Sequence, residues 1–163
     1  MEMIEWTHSL ELGIDVIDHQ HHQIVDYINS LTVAIEKQDE HLVFAVLEKL
    51  RSYTVDHFVF EEELMLKAGY CEYGSHSQLH RRFEHKVSAM LNDYVSGSDP
   101  FGIARKARNF LHIWLIEHIR HEDKEYAVAV MKIMHRQQGW IDTTLRRIFG
   151  QPKGAGDYQN NQA

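Results

Sequence analysis

Residues 57–65 read HFVFEEELM, a stretch that places polar side chains where a helix would present its apolar face. His57 and Glu61 are four residues apart, and residues at this spacing lie one above the other on a helix. Phe58, Phe60 and Leu64 are their apolar neighbours. The pair therefore faces either water or a site in the core that offsets the cost of burying polar groups.

The composition narrows the class of protein. The chain has 163 residues, which fits one domain with a sizeable core, and its formal net charge of −7 argues against nucleic acid as a partner. No segment approaches the roughly 20 apolar residues of a membrane span, and the acidic N-terminus lacks the pattern of a signal peptide. A single cysteine, Cys71, is typical of a reducing compartment. We therefore expect a soluble, cytoplasmic protein.

Long stretches with helical periodicity and only two prolines predict four helices. These cover residues 18–36, residues 40–68, residues from 75 to the SGSDP turn, and residues from Pro100 to the 131–136 region. Four amphipathic helices joined by short loops predict an all-α fold, an up-down-up-down four-helix bundle with a short N-terminal loop. The predicted bundle domain is residues 1–137.

Metal-ligating residue types recur on the predicted inner faces of the second, third and fourth helices. They are His57, Glu61, His76, His80, His118 and Asp123. The pair His118 and Asp123 is the least obvious, because a five-residue step on an ideal helix separates two side chains by about 140°. Asp123 would therefore reach a shared site from its flank.

The first helix offers a choice among three histidines in the stretch DHQHHQI, residues 18–24. His21 is in line with the apolar residues Ile17 and Ile24, whereas His22 is in line with Asp18 and other polar residues. We therefore predict that His21 points inward.

Five imidazoles and two carboxylates buried together are hard to satisfy without a metal. Bundle cores hold dinuclear iron or manganese sites built from facing helices. If Glu61 and Asp123 bridge two metals together with an oxide or hydroxide, the five histidines divide unevenly. One metal then becomes six-coordinate with three histidines, and the other, with two, keeps one open position for an external ligand.

The whole pattern resembles the hemerythrin family, in particular its bacterial single-domain type. The resemblance covers roughly residues 6–131 and rests on the stretches GIDVIDHQHHQIVDYIN, YTVDHFVFEEELM, YCEYGSHSQLHRRF and WLIEHIRHEDKEY. It implies two non-heme iron ions, bridged by Glu61, Asp123 and an oxo or hydroxo group, that bind dioxygen reversibly. It also implies the division of ligands: His76, His80 and His118 on the six-coordinate iron, and His21 and His57 on the iron that takes oxygen.

Five apolar residues are predicted to line the open position and exclude water, although each would also suit an ordinary bundle core. They are Ile24, Phe58, Trp114, Leu115 and Ile119.

Residues 138–163 extend beyond a minimal hemerythrin bundle. Residues 140–149 predict a short amphipathic helix, either a packed cap or a surface for a protein or membrane partner, and the polar residues from Gln151 onward predict a disordered tail.

The functional prediction is an oxygen carrier, store or delivery protein rather than an enzyme. Two alternatives stay open: an oxygen or redox sensor that signals through the C-terminal helix, and a di-iron peroxidase or nitric-oxide-handling enzyme. The histidine-rich ligand set argues against the enzyme, and the lack of an evident output domain argues against the sensor. The sequence leaves the oligomeric state open.

Overall fold

The computed structural model describes residues 2–150, which contain helices and no strand. A short 3-10 turn, His8–Leu10, precedes six α-helices, and a π-helical segment, Ile119–Asp123, joins α4 to α5. The helices are α1 (Asp15–Glu36), α2 (Glu40–Ala68), α3 (Tyr73–Val95), α4 (Pro100–His118), α5 (Lys124–Met134) and α6 (Gln138–Phe149). Within this part of the chain, no helix is both long enough and apolar enough to cross a membrane.

The first four helices and α5 form the predicted bundle, and the all-α prediction is confirmed. α1 packs against α2 and α4, and α3 packs against the same two helices. The connections between consecutive helices are short, which forces each to run antiparallel to the one before. The backbone stays helical from α4 through the π-helical segment into α5, so these three elements together act as the fourth helix of the bundle.

Helix ends follow local chemistry in the sequence. The Asp39 side chain accepts a hydrogen bond from Leu42 N at the start of α2, and Gly69 ends that helix with a left-handed φ of 66°. Asp99 caps α4 in the same way, with a proline in the first turn. α2 therefore has the predicted bounds.

α1 begins at Asp15, three residues before the predicted start. The Asp18 carboxylate lies inside the helix and accepts hydrogen bonds from the backbone N–H groups of Leu12 (2.7 Å) and Gly13 (3.0 Å). It therefore stabilises the turn that precedes the helix, and it is not the first helical residue. α3 likewise begins at Tyr73, two residues before the predicted start.

The core is continuous from the N-terminal loop to the C-terminal helix. Phe44 follows the helical spacing of Leu47 and Leu50 in the sequence, yet it is 38 % exposed, because Val43 takes the buried position at this level of α2. The Phe44 ring packs against Tyr94 of α3, with centroids 5.5 Å apart.

α6 packs against α2. Ile141 is buried, and the Phe149 ring lies 5.5 Å from that of Tyr53 and 6.3 Å from that of Phe60. The predicted C-terminal helix is thus present and begins two residues earlier than expected. The predicted disordered tail lies outside the described residues, and the division at residue 137 into two domains stays a prediction.

Candidate metal centre

The seven predicted ligands converge inside the bundle. All four bundle elements contribute: His21 from α1, His57 and Glu61 from α2, His76 and His80 from α3, His118 from α4, and Asp123 from the π-helical segment. None is more than 5 % exposed. Two overlapping groups of side chains have ligand atoms within 4.8 Å of one another, namely Glu61 with His76, His80 and His118, and Glu61 with His21 and His57.

The Glu61 carboxylate lies between the two groups of histidines. Its Oε1 atom is 3.6 Å from Nε2 of His21 and 3.5 Å from Nε2 of His57. Its Oε2 atom is 3.4 Å from Nε2 of His80. The two oxygens of one carboxylate therefore face two different sets of imidazoles.

Asp123 divides its oxygens in the same way. The Oδ2 atom is 3.3 Å from Nε2 of His21, whereas Oδ1 is 3.3 Å from Nε2 of His76 and 3.1 Å from Nε2 of His118. Both carboxylates thus span the same two groups, one of three histidines and one of two.

The three histidines of the larger group point their Nε2 atoms at a common point. The separations are 3.1 Å between His76 and His80 and 3.1 Å between His80 and His118. Adjacent ligands at right angles on one metal ion, with bonds of about 2.1 Å, are about 3 Å apart. The spacing of these nitrogens fits ligation of a single ion.

Several buried polar atoms at this point have no hydrogen-bond partner. They are Nδ1 and Nε2 of His21, Oε2 of Glu61, and both carboxylate oxygens of Asp123. Leaving such groups unpaired in a core is costly, and a carboxylate is costlier than a neutral group. A pair of cations would satisfy all of these atoms except Nδ1 of His21, which points away from the carboxylates, so the residues present fit the di-iron site that the sequence pattern implies.

The electrostatics of the site favour cations. Burial lowers the pKa of His57 to about 3. Burial also opposes protonation of His21 and His80, but the close carboxylates of Glu61 and Asp123, together with Glu62 at His80, outweigh it and raise the pKa of both to about 9. Although burial acts in the opposite direction, neighbouring histidines hold the pKa of Glu61 and of Asp123 well below the usual range. Both carboxylates are therefore anionic.

The π-helical segment explains how Asp123 reaches the site. Here the N–H of Lys124 donates a hydrogen bond to the carbonyl of Ile119, five residues back. In an α-helix this bond would go to the residue four back. The wider turn brings residues five apart onto one face, so Asp123 lies directly over His118. The expectation that Asp123 would approach from the flank is wrong, because it assumed ideal α-helical geometry.

Two ligand histidines are oriented from behind by polar partners that the sequence analysis missed. Nδ1–H of His57 donates to Oε1 of Gln20 at 2.8 Å, and Nδ1–H of His80 donates to Oε1 of Glu62 at 2.8 Å. Each bond leaves the Nε2 lone pair directed into the site. Partners of this kind fix the tautomer and the ring orientation of metal-binding histidines.

Tyr126 is a third missed residue. Its buried hydroxyl donates a 2.5 Å hydrogen bond to Oε1 of Glu61. Two of the three had a signal in the sequence: Gln20 interrupts the apolar stripe between Ile17 and Ile24, and Tyr126 lies three residues after Asp123 on the same helix face.

Two of the five residues predicted to line an oxygen pocket contact ligand histidines. Ile24, Phe58, Leu115 and Ile119 are buried, and Trp114 is half-buried. The Phe58 ring stacks on His80 with centroids 3.9 Å apart, and the Trp114 ring stacks on His118 at 4.2 Å. These two rings thus contact the three-histidine group, and their predicted role in an oxygen pocket stays a prediction.

The other histidines stay away from the centre. Seven are exposed and His112 is half-buried; the exposed ones are His8, His19, His22, His41, His85, His121 and His135. His22 lies 3.3 Å from Asp26 at the surface.

Comparison with known proteins agrees with this geometry. The family model of the hemerythrin HHE cation binding domain matches residues 12–130. This chain belongs to the hemerythrin family. Members of this family bind oxygen at a di-iron site. The resemblance inferred from the sequence is confirmed.

Similar hemerythrins differ in length. A bacteriohemerythrin of Stenotrophomonas maltophilia is 36% identical over 156 residues, covering 92% of this chain and all of that protein, and one of Pseudomonas aeruginosa is 35% identical with the same coverage. A bacteriohemerythrin of Clostridium acetobutylicum is 28% identical and covers 76% of this chain and 98% of itself. A span of 92% of this chain necessarily includes α6, which the matched family range does not.

The fold likeness extends to solved structures. A wild-type hemerythrin crystal structure superposes with a TM-score of 0.74 at 25% identity, covering 79% of this chain and 98% of that one. Nearly all of that structure is therefore matched, whereas about a fifth of this chain lies outside the match.

Proposed function

We propose that this protein binds dioxygen reversibly at two iron ions held by the seven buried side chains, and that it serves as an oxygen carrier, store or delivery protein. The observation that carries the proposal is the arrangement of Glu61 and Asp123. Each carboxylate presents one oxygen to the three-histidine group and the other to His21 or to the pair His21 and His57. Two bridging carboxylates with three and two imidazoles make an asymmetric pair of binding positions.

The asymmetry supplies the place for an external ligand. His76, His80 and His118 would complete the coordination of one ion, whereas His21 and His57 would leave one position open on the other. When bound, the two ferrous ions supply the electrons that reversible dioxygen binding requires.

The chain's own residues support this role in two ways. Gln20 and Glu62 hold His57 and His80 in the tautomer that presents Nε2 to the site. Buried apolar side chains, among them Ile24 and Ile119, would exclude water from the centre, which would slow autoxidation of the iron by dioxygen.

Metal analysis combined with optical spectra tests the proposal. Protein reduced without oxygen should contain two irons per chain and lack a visible band. Air should produce a ligand-to-iron charge-transfer band that disappears again when oxygen is removed. Rapid, irreversible oxidation without a reversible band would contradict an oxygen carrier, and a metal content of manganese or zinc would contradict the iron assignment.

A second candidate, an oxygen or redox sensor, is favoured by the position of α6. This helix packs on Phe60 and pairs Arg147 with Glu63 at 2.5 Å, and these α2 residues flank Glu61 in sequence. A change in the Glu61 carboxylate on ligation could thereby reach α6. Oxygen-dependent protection of α6 amides in hydrogen exchange would support the sensor, and identical exchange with and without oxygen would contradict it.

A further inference from the structure

An open groove of about 420 Å³ lies between α3 and α4, beside the proposed metal centre. Its apolar lining consists of Leu79, Phe110, Ile113 and Trp114. Its polar lining consists of Glu117, His118, His121 and Glu122. Ile113 is 66 % exposed, so an apolar surface faces solvent here.

The groove contacts the centre through two stacked rings. Trp114 and His118 both line it, their ring centroids are 4.2 Å apart, and their planes differ by 14°. His118 is the most exposed of the seven predicted ligands. The chain therefore places an aromatic ring in van der Waals contact with the predicted ligand His118 where this groove reaches the centre.

The charged residues that line the groove are acidic. Glu117 and Glu122 line it, and no lysine or arginine is among the lining residues that the structure describes. His121 lies 3.2 Å from Glu117 at the rim. The net charge of the whole chain, −7, has the same sign. A cationic partner would be attracted here, whereas an uncharged molecule such as dioxygen would gain nothing from the carboxylates.

We propose that this groove is the docking site of a one-electron donor, a small redox protein with a basic surface around its redox centre. The inference rests on the proposed function, because an oxygen-binding iron pair that becomes ferric must be reduced again. Each donor would lose one electron, and the Trp114 and His118 rings would carry it to the ferric ion that His118 would hold, which would become ferrous. Two encounters restore the pair.

The electron-entry test uses hexaammineruthenium(II), a cationic one-electron reductant, on the diferric, iron-loaded protein. Stopped-flow absorbance measures the rate of reduction in wild type, Glu117→Gln and the matched control Asp93→Asn. Asp93 is exposed and lies fourteen residues from Leu79 on α3, a distance of about 21 Å. Removing one charge next to a divalent cation should slow the rate by about two- to threefold at low salt.

The same variants are then compared with dithionite, an anionic reductant. Glu117→Gln should slow the ruthenium reaction but not the dithionite reaction, and Asp93→Asn should change neither. Trp114→Leu should be reduced more slowly by both reductants. Trp114→Phe, which keeps an aromatic ring, should retain most of the wild-type reduction rate. Iron content is measured in every variant, so that lost metal is not mistaken for slow reduction.

A second readout requires no electron transfer. Hexaamminechromium(III), which is paramagnetic and redox-inert, should broaden the methyl NMR signals of Ile113 and Leu79 before those of Leu42 at the start of α2. Glu117→Gln should weaken this broadening.

Three results would overturn the proposal. These are equal ruthenium rates in Glu117→Gln and Asp93→Asn, an unchanged rate in Trp114→Leu, and broadening spread evenly over the surface. If Trp114→Leu altered only oxygen association and release, the groove would be an oxygen path instead. A wild type that is reduced at the groove but never binds oxygen reversibly would refute the proposed function and leave the electron-entry site standing.

Discussion

His118 and Asp123 meet across a π-helical turn, with His118 Nε2 3.1 Å from Asp123 Oδ1. The turn adds one residue to the helix relative to an α-helical path. That residue allows two ligands to share one face while the next helix, α5, still directs Tyr126 and Val130 into the core. The local change in helix type therefore serves both the site and the packing after it.

Inserting one alanine after Arg120, an exposed residue of this turn, should damage both. The added residue would rotate everything downstream by about 100°, and each large side chain turned out of the core costs roughly 1.5–3 kcal/mol. We expect a lower melting temperature and less than two irons per chain. Arg120→Ala, which keeps the chain length, is the control and should behave as wild type. An insertion variant with full iron content and unchanged stability would show that the site and the core do not depend on the length of this turn.

Replacing two neighbouring histidines of α1, one at a time, should affect iron binding very differently. His21→Gln removes a buried group that faces both carboxylates and should reduce iron below two per chain and abolish the reversible band. His22→Gln changes an exposed residue and should leave iron content and spectrum as in wild type. Metal analysis of the two purified variants shows which histidine of α1 is the iron ligand. Loss of the chromophore in His22→Gln with retention in His21→Gln would reverse the assignment on this helix.

Tyr126→Phe should speed oxidation by air without unfolding the protein. The change removes a hydrogen bond to the Glu61 carboxylate but keeps the buried ring. A carboxylate freed of this donor stabilises ferric iron more strongly, and losing a partner of a metal ligand has effects on the order of tenfold. Tyr70→Phe, a half-buried tyrosine whose ring lies 6.4 Å from that of Tyr126, is the matched control. Equal autoxidation rates in the two variants would mean that the hydrogen bond does not tune the iron.

Metal loading should release protons in a pH-dependent way. The carboxylates raise the pKa of His21 and His80 to about 9, despite burial, so the folded metal-free protein holds both protons at pH 7. Ligation requires neutral imidazole, so loading with ferrous iron at pH 7 should release about two protons. The release should fall as the pH rises through about 9, because the protons have already left.

Calorimetry of metal loading in buffers of different ionisation enthalpy counts these protons. His57, whose pKa burial lowers to about 3, should contribute none. His21→Gln should release one proton fewer than wild type. Proton release that stays constant from pH 7 to pH 10 would contradict the assignment of the raised pKa values to ligands.

Ile141→Ala should weaken the attachment of α6. This side chain is 1 % exposed, and truncating a buried isoleucine to alanine costs about 2–5 kcal/mol of the free energy of unfolding. Thr143→Ala, exposed on the same helix, is the control for helix propensity. Denaturant unfolding measures the loss of the free energy of unfolding. Oxygen titration of the folded variant then distinguishes a packed cap from a sensor. An unchanged oxygen affinity fits a packed cap, whereas a shifted affinity fits a sensor.

Much of the candidate site could be predicted from residue spacing. His57 with Glu61 and His76 with His80 follow the four-residue period of a helix face, and His21 follows the apolar stripe of α1. Periodicity failed at Asp123, since nothing in the local residues distinguishes a π turn from an α turn. It failed also at Phe44, which is 38 % exposed because the neighbouring Val43 takes the buried position on α2.

The sequence by itself determined which residue types lie on the inner face of each helix, because that depends on short-range spacing and on caps such as Asp39 and Gly69. Only the tertiary structure decided which oxygen of Glu61 faces which histidines, and that Tyr126, 65 residues away in sequence, donates to it. These relationships depend on how separate helices are rotated and shifted against one another. That arrangement comes from the packing of the whole core rather than from any one stretch of chain.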